Sequence, residues 1–305
     1  MNIAIIGPGA MGLLFGGYLS RKNDVTLVGT SAQRMEQVNQ KGVVIRETDG
    51  TEKTFHPHAT ADASKLAPMD LVILFVKAGA SETALKANQS LIGPDTLLLT
   101  LQNGAGHETL LRRFAPEQNI LIGTTQQGSY RLDDTSICHS GKGDTALGAI
   151  CGNSARFTPV AETFAACGFP CSLSNQVQGL IWNKLMINAS SSVLSGILQV
   201  PQGYIASNSY AWSIAKLLIS ELCAVASADG YPFDAAQQQA RIHHHLELAP
   251  DGYTSIYADL KAGRKTEVDV INGAVINAGR RLGIPIPTHE MVLNLVHAME
   301  QRPSV

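Results

Sequence analysis

The sequence predicts an α/β protein of two domains: a doubly wound, mainly parallel sheet over residues 1–174 and an all-helical domain over residues 175–305. Three observations support this prediction. Short, β-branched apolar runs alternate with helical patterns in the first half of the chain, which is the order that β-α-β units produce. Two of these runs are almost continuously apolar, as in strands covered on both faces. After about residue 175 only helical periodicities follow.

The first apolar run, residues 2–6, leads directly into a glycine-rich segment and then into a helical pattern. The segment fits G-x-G-x-x-G and reads Gly7-Pro8-Gly9-Ala10-Met11-Gly12. Strand, glycine loop and helix follow each other in this order in the dinucleotide-binding motif of Rossmann-type folds, where the helix N-terminus binds the phosphates. A glycine turn can also join a strand to a helix without a ligand. The flanking pattern favours the dinucleotide.

The second strand, residues 24–28, bears on the choice of cofactor. An Asp or Glu normally follows this strand in NAD-binding domains and binds the ribose hydroxyls. Here the strand is followed by Gly29, Thr30 and Ser31, and Arg34 lies one turn into the helix that Ser31 caps. Hydroxyl groups and an arginine suit a 2′-phosphate, so the sequence favours NADP. The alternative is that Arg34 is an ordinary solvated helix residue.

Two further strands are expected to end at the same edge of the sheet as the glycine loop. Residues 70–76 precede Lys77, and residues 96–101 precede Asn103. Ligands of open α/β sheets bind at the carboxyl ends of the strands. We therefore expect Lys77 and Asn103 to contact cofactor and substrate, although Asn103 with Gly104 could also form a simple turn.

The remaining elements of the first domain are less regular. Segments 43–46 and 53–58 predict a hairpin across Asp49-Gly50. A strand over 119–125 is followed by alternating polar and apolar residues over 129–149, which predict antiparallel strands added to the parallel sheet. A helix over 156–166 and an edge strand over 169–173 complete the domain.

The second domain begins near Asn175 and contains only helices. One long helix is predicted over 176–198, with a stripe of polar residues on it: Lys184, Asn188, Ser191, Ser192 and Ser195. Such a stripe in an apolar helix needs hydrogen-bond partners or faces a wet cleft. Further helices are predicted over 207–228, 235–245, 254–260, 267–282 and 288–300.

Composition limits the class of protein. The 305 residues are 45% hydrophobic and 16% charged, with a formal net charge of −2, so we expect no nucleic-acid partner. We expect no apolar run to approach the length of a membrane span. Five cysteines without an export signal indicate a cytoplasmic protein. We expect a monomer or a homodimer. His243-His244-His245 lacks the spacing of a metal site, and no metal is expected.

Several segments taken together resemble one known family across nearly the whole chain. Besides the glycine loop, they are Val76-Lys77-Ala78, Leu101-Gln102-Asn103-Gly104, Trp182-Asn183-Lys184-Leu185 with Asn188, Ser255, Arg264-Lys265-Thr266-Glu267-Val268-Asp269 and Asn272-Gly273. In this order they resemble the ketopantoate reductases (2-dehydropantoate 2-reductases). The resemblance implies an NADPH-dependent oxidoreductase of pantothenate synthesis, with a Rossmann-type domain, a helical domain and a small 2-keto acid as substrate.

The resemblance also implies roles for individual residues. Lys184 would be the general acid and Glu267 its partner near the substrate. Lys77 would lie beside the cofactor. The residues that would contact the substrate are Asn103, Lys184, Asn188, Ser192, Ser255 and Glu267. Two positions depart from the family pattern: Ser192 stands where a second asparagine is expected, and Thr30 where an arginine is expected.

These departures leave two alternatives beside ketopantoate reduction. One is an NADPH-dependent reductase of another branched 2-keto acid, because Ser192 changes the expected contacts to substrate hydroxyls. The other is a non-catalytic NADP-binding regulator. The presence of both Lys184 and Glu267 argues against a regulator, since binding alone requires neither residue.

Overall fold

The computed structural model describes residues 1–302 and divides into two compact units. Unit 1 comprises Met1–Gln102 and His107–Val177, and unit 2 comprises Asn103–Gly106 and the chain from Gln178 onward. Unit 1 contains the sheets and unit 2 is helical. The predicted fold class, an α/β doubly wound domain followed by an all-α domain, is confirmed.

Unit 1 is built around an eight-stranded sheet with the strand order β12-β11-β8-β7-β6-β1-β2-β5. The strands are β1 (Asn2–Ile6), β2 (Asp24–Val28), β3 (Val43–Glu47), β4 (Glu52–Phe55), β5 (His58–Thr60), β6 (Leu71–Leu74), β7 (Leu97–Thr100), β8 (Ile120–Thr125), β9 (Gly128–Arg131), β10 (Ser136–Gly141), β11 (Thr145–Ala149) and β12 (Cys171–Leu173). The helices are α1 (Ala10–Leu19), α2 (Ala32–Lys41), α3 (Ser81–Ala87), α4 (His107–Leu111) and α5 (Thr158–Ala166). The six consecutive strands from β8 to β5 pair in parallel, and both faces of the central strands are buried.

The prediction that all strands of 129–149 extend the parallel sheet is wrong for two of them. β11 pairs antiparallel with β8, as expected. β9 and β10 instead join the β3–β4 hairpin in a separate four-stranded sheet, where Ile137 of β10 lies beside Ile45 of β3 in parallel register. Both isoleucines are fully buried, so the shared apolar face accounts for the pairing. Alternation along a strand predicts which face is buried but does not identify a partner so distant in sequence.

Unit 2 consists of helices, most of which lie close to the predicted bounds, although the helix Gln202–Ser207 has no counterpart among the predicted helices. They are α6 (Val177–Ile187), α7 (Val193–Leu198), α8 (Gln202–Ser207), α9 (Ser209–Ala228), α10 (Ala235–Leu248), α11 (Ser255–Lys261), α12 (Val268–Leu282) and α13 (Pro287–Glu300). The single helix predicted over 176–198 is interrupted by a π-helical segment, Asn188–Ser192. In this segment the Ala189 carbonyl accepts a hydrogen bond from Asn272 Nδ2 at 2.9 Å, and the Ser192 carbonyl accepts one from Thr254 Oγ1 at 3.2 Å. Side chains of other elements thus bond to carbonyls of the widened turn.

The expectation that no apolar stretch reaches the length of a membrane span is wrong for α9. By length and composition this helix could cross a membrane, with a mean hydropathy of 1.4 in its most apolar window. Buried core helices meet the same criteria. Leu218 and Leu222 on α9 are fully buried, and α9 packs against α12 and α13.

Candidate active site

The glycine loop of unit 1 has the tight turn that the motif requires. Gly7 adopts a φ of +98°, and a Cβ there would lie 2.5 Å from the Val76 amide nitrogen. Gly12 contacts the Gly7 carbonyl so closely that a Cβ at Gly12 would overlap it. The loop is tied to β2 by a 3.0 Å hydrogen bond from the Gly7 N–H to the Val28 carbonyl. These contacts explain the first and third glycines of the motif.

The second glycine of the motif supports a fit to the phosphates of a dinucleotide. A Cβ at Gly9 would have no other atom within 4 Å, so the backbone there borders open space. Gly9 is also the residue before α1, and no acidic side chain lies in the first turn of that helix. The first amides of α1 and the positive end of its dipole therefore favour an anion at this position. Pro8, Ala10 and Met11 complete the loop.

Arg34, predicted to favour NADP, contacts the glycine loop directly. Its Nη2 donates to the Pro8 carbonyl, and its Nε donates to the Asp134 main-chain carbonyl at 2.9 Å. The Arg34 side chain is 16% exposed, so the alternative of an ordinary solvated residue does not describe it. Thr30 is exposed after β2. Ser31 caps α2 by accepting a hydrogen bond from the Arg34 amide at 3.3 Å, as expected.

Lys77 is exposed at the turn that follows β6. The strand ends at Leu74, slightly earlier than predicted. A residue to which the sequence analysis assigned no role organises this turn: Gln102 Nε2 donates to the Val76 carbonyl and, at 2.9 Å, to Ser81 Oγ. The sequence signal was available, because Gln102 stands in the conspicuous segment before Asn103.

In unit 2, Asn103 and Glu267 are hydrogen-bonded to each other. Asn103 Nδ2 donates to Glu267 Oε2 at 3.3 Å, and the Ala105 amide donates to the Val270 carbonyl at 3.0 Å. Glu267 immediately precedes α12, and its own carbonyl accepts hydrogen bonds from two amides of that helix. Asn103 therefore lies within a segment packed on the start of α12. Both side chains are half-buried.

Lys184 lies on α6 and is the one lysine of the described chain whose pKa is strongly lowered. Burial lowers the pKa of Lys184 from its ordinary value of 10.5 to about 8, while the attraction of the Glu267 carboxylate opposes that shift. A lysine with this pKa is mainly protonated at neutral pH and loses its proton more readily than an exposed lysine. The pair therefore has the electrostatics of an acid that can donate and recover a proton.

The other predicted substrate contacts lie in the π-helical segment and at the start of α11. Asn188 begins the π-helical segment one turn after Lys184, on the same side of the helix. Ser192 ends that segment and is buried. Ser255 is exposed at the first turn of α11, and the preceding residue, Thr254, bonds to the Ser192 carbonyl. The hydrogen bond from Thr254 thus links the start of α11, where Ser255 lies, to the end of the π segment. Segments of π-helix are frequent at functional sites.

Two serines of the predicted polar stripe have a structural explanation. Ser191 Oγ donates to the Ile187 carbonyl at 3.3 Å, and Ser195 Oγ donates to the Val200 carbonyl at 2.6 Å. Both serines are fully buried. They satisfy main-chain groups of their own region rather than a wet cleft, so the stripe divides into Lys184 with Asn188 and a buried set of serines.

The segment before Glu267 is held by residues that the sequence analysis did not identify. Glu300 Oε1 accepts hydrogen bonds from the Thr266 amide at 2.8 Å and from Thr266 Oγ1 at 2.7 Å. His297 Nδ1 lies 3.0 Å from Glu300 Oε2, and this contact together with Asp269 raises the pKa of His297. No local pattern indicates these contacts, because Glu300 lies 34 residues downstream of Thr266.

Comparison with known proteins finds matches to one family over both halves of the chain. The family model described as Ketopantoate reductase PanE/ApbA matches residues 3–152, and its C-terminal counterpart matches residues 176–300. The 2-dehydropantoate 2-reductase of Pyrococcus horikoshii is 30% identical over 302 residues, which are 98% of each chain.

Two solved structures are similar over 98% of this chain and 98% of theirs. The PanE/ApbA family ketopantoate reductase from Ralstonia eutropha has a TM-score of 0.88 at 29% identity. D-mandelate dehydrogenase, in a ternary complex with NADH and anilino(oxo)acetate, has a TM-score of 0.92 at 30% identity. Because the two family models match most of the chain, the chain belongs to the ketopantoate reductase family of oxidoreductases.

Proposed function

We propose that this protein catalyses the NADPH-dependent reduction of ketopantoate (2-dehydropantoate) to pantoate in pantothenate synthesis. The observation that carries the proposal is the Lys184–Glu267 pair: a buried amine with a pKa of about 8, attracted by a carboxylate that also binds Asn103. Family membership supplies the substrate class, a small 2-keto acid. The pair supplies the acid that reduction of its carbonyl requires.

Residues 1–174 bind the cofactor and residues 175–305 form the substrate domain in this proposal. The cofactor contacts are the glycine loop residues Gly7, Pro8, Gly9, Ala10, Met11 and Gly12, together with Thr30, Arg34, Lys77 and Asn103. Bound NADPH supplies the hydride that reduces the keto carbon. The open space at Gly9 and the contact of Arg34 with Pro8 support these assignments.

Lys184 holds a proton at Nζ and delivers it to the substrate oxygen as negative charge develops there. Glu267 keeps the amine protonated, because its carboxylate raises the pKa that burial lowers. Asn103 donates to the same carboxylate and so fixes its orientation. Asn188, Ser192 and Ser255 bind the carboxylate and hydroxyl groups of the substrate without adding a further full charge.

The second candidate function is reduction of a different 2-keto acid. It is favoured by the similarity to D-mandelate dehydrogenase, with a TM-score of 0.92, and by Ser192 at the position where the family pattern has asparagine. Lys184 and Glu267 serve the same carbonyl chemistry in either case. The candidates therefore differ in the residues that contact the rest of the substrate.

Initial rates with a substrate panel test the proposal. The purified protein is assayed by loss of NADPH absorbance with ketopantoate, phenylglyoxylate and unbranched 2-keto acids, each with NADPH and with NADH. We expect ketopantoate with NADPH to have the highest kcat/KM. Lys184→Ala should lower kcat about 10²–10⁴-fold while NADP⁺ binding persists. Phenylglyoxylate as the best substrate would establish the second candidate, and a normal kcat in Lys184→Ala would remove the lysine from the reaction.

The expected cellular setting is also part of the proposal. A substrate of central metabolism and five free cysteines suit a cytoplasmic enzyme that acts on a small molecule rather than on a nucleic acid or a membrane. A monomer or a homodimer is consistent with this role, and sedimentation of the purified protein distinguishes the two.

A further inference from the structure

We propose that Arg131 is a second cationic contact for the 2′-phosphate of NADPH, beside Arg34, and that Asp134 is the counter-ion which this phosphate displaces. The inference rests on the proposed use of NADPH and deepens it. It assigns cofactor specificity to a turn between β9 and β10 that belongs to the second sheet, outside the strand-helix segments in which such specificity is usually sought.

Arg34 lies beside the glycine loop. Its guanidinium donates to the Pro8 carbonyl inside the glycine loop and to the Asp134 main-chain carbonyl at 2.9 Å. Two hydrogen bonds to main-chain carbonyls hold the guanidinium next to the loop that would bind the pyrophosphate. These carbonyls are dipoles rather than anions, so the anion that balances the Arg34 charge is the Asp134 carboxylate, 3.8 Å from Arg34 Nε.

Two charged side chains, Asp134 and Arg131, lie near Arg34. Asp134 Oδ1 lies 2.5 Å from Arg131 Nη2 and 3.8 Å from Arg34 Nε. One carboxylate therefore lies between two guanidinium groups. Burial lowers the pKa of Arg34, and the positive charge of Arg131 adds to that shift. Arg34, Arg131 and Asp134 together carry one net positive charge, while the nearby Asp133 carboxylate is bonded to the Thr135 and Ser136 amides. A net positive charge on the first three groups favours a further anion there.

The turn that follows Arg131 at the end of β9 carries Asp134 and is held by its own side chains. Asp133 Oδ1 accepts hydrogen bonds from the Thr135 and Ser136 amides, each at 2.8 Å. Arg131 Nε donates to the Asp133 main-chain carbonyl at 3.2 Å. The turn is thus held by its own side chains, and the two charged groups are presented beside Arg34 before any ligand binds.

Arg34, Arg131 and Asp134 together bear on the choice between NADP and NAD. Thr30 stands where the family pattern has an arginine, so a cation is missing directly after β2, and Arg131 replaces it from a different strand. The 2′-phosphate of NADP carries up to two negative charges and pairs with two guanidinium groups, whereas the 2′-hydroxyl of NAD carries none. The carboxylate of Asp134 repels that phosphate and so reduces the preference for NADP that the two arginines create.

Equilibrium binding to three forms of the full-length protein tests the inference. Titration calorimetry measures the Kd of NADP⁺, NAD⁺ and adenosine 2′,5′-bisphosphate with wild type, Asp134→Asn and Arg131→Gln at low and at high salt. The matched control is Glu52→Gln, which removes a carboxylate from another exposed ion pair of the same sheet, with Arg46 at 2.8 Å. Melting temperatures verify that each variant is folded.

Asp134→Asn should tighten NADP⁺ and adenosine 2′,5′-bisphosphate roughly tenfold at low salt and less at high salt, since exposed charges are screened. Arg131→Gln should weaken both ligands by a similar factor, and NAD⁺ should change less than about twofold in either variant. Glu52→Gln should leave all three ligands unaffected.

Different results separate the inference from the proposed function. If wild type binds NADP⁺ no more tightly than NAD⁺, the proposed cofactor is wrong. If wild type prefers NADP⁺ but neither variant changes the ratio of the two Kd values, the inference is overturned while the function stands. Weaker NAD⁺ binding in Asp134→Asn, without tighter NADP⁺ binding, would instead make Asp134 a ligand of the ribose hydroxyls and would also overturn it.

Discussion

The basic limb of the pH–rate profile should move when Glu267 is neutralised, because that carboxylate is what opposes the effect of burial on Lys184. The pKa of Lys184 is about 8. At that value about 90% of the lysines are protonated at pH 7 and about 10% at pH 9. If the protonated amine is the general acid, kcat/KM for keto acid reduction should therefore fall about tenfold between pH 7 and pH 9.

Glu267→Gln removes the attraction that raises the lysine pKa and leaves the burial that lowers it. The limb of this variant should lie at lower pH than that of wild type. The assay is the initial rate of NADPH oxidation from pH 6 to pH 10, with substrate well below KM. In the reverse direction, oxidation of the hydroxy acid requires the neutral amine. Its rate should rise with pH through the same midpoint.

Lys184→Arg provides the control, because a guanidinium keeps its charge over the whole range. Its residual activity should show no basic limb near pH 8. A limb that stays in place in Glu267→Gln, or one that persists in Lys184→Arg, would show that another group titrates and would refute the assignment of the acid.

Three more predictions concern the burial of Lys184, the glycine loop and the contact between Thr266 and Glu300. Lys184→Met should lower kcat about 10²–10⁴-fold, as expected for Lys184→Ala, yet raise the melting temperature at pH 7. A pKa lowered from 10.5 to about 8 corresponds to at most about 3 kcal/mol of unfavourable burial of the charged amine. The unfolded lysine binds more protons than the folded one between pH 8 and its ordinary pKa, so wild type should regain that stability as pH rises; a lower melting temperature for the variant at pH 7 would contradict this. Gly9→Ala should melt like wild type but lose NADP⁺ affinity, because its Cβ points into open space, whereas Gly12→Ala should be clearly less stable because its Cβ meets main chain. Calorimetry and thermal unfolding distinguish these two, and equal stability of both variants would be inconsistent with the loop geometry. Glu300→Ala should lower kcat about tenfold through loss of the Thr266 contacts, and Glu300→Gln, which keeps an acceptor oxygen, should recover most of it; an unchanged kcat in Glu300→Ala would show that the contact does not position the site.

The elements that could be predicted from the sequence are those whose signals are local. The glycine loop, the Ser31 cap and the helices of unit 2 all depend on residues within a few positions of one another. The second sheet could not be predicted in this way, because β10 pairs with β3 across about ninety residues. The π segment was missed for the same reason, since the side chains that bond to its carbonyls come from Thr254 and Asn272.

The candidate site also depends on contacts between residues that are distant in the sequence. Glu267 on its own is an acid at the start of a helix, a position where acids are common for reasons of capping and helix dipole alone. Its hydrogen bond to Asn103 spans 164 positions of the sequence, and its effect on the Lys184 pKa depends on a burial that no periodicity predicts. Each residue therefore has an ordinary local explanation, and only their interaction makes Lys184 and Glu267 candidates for a catalytic pair.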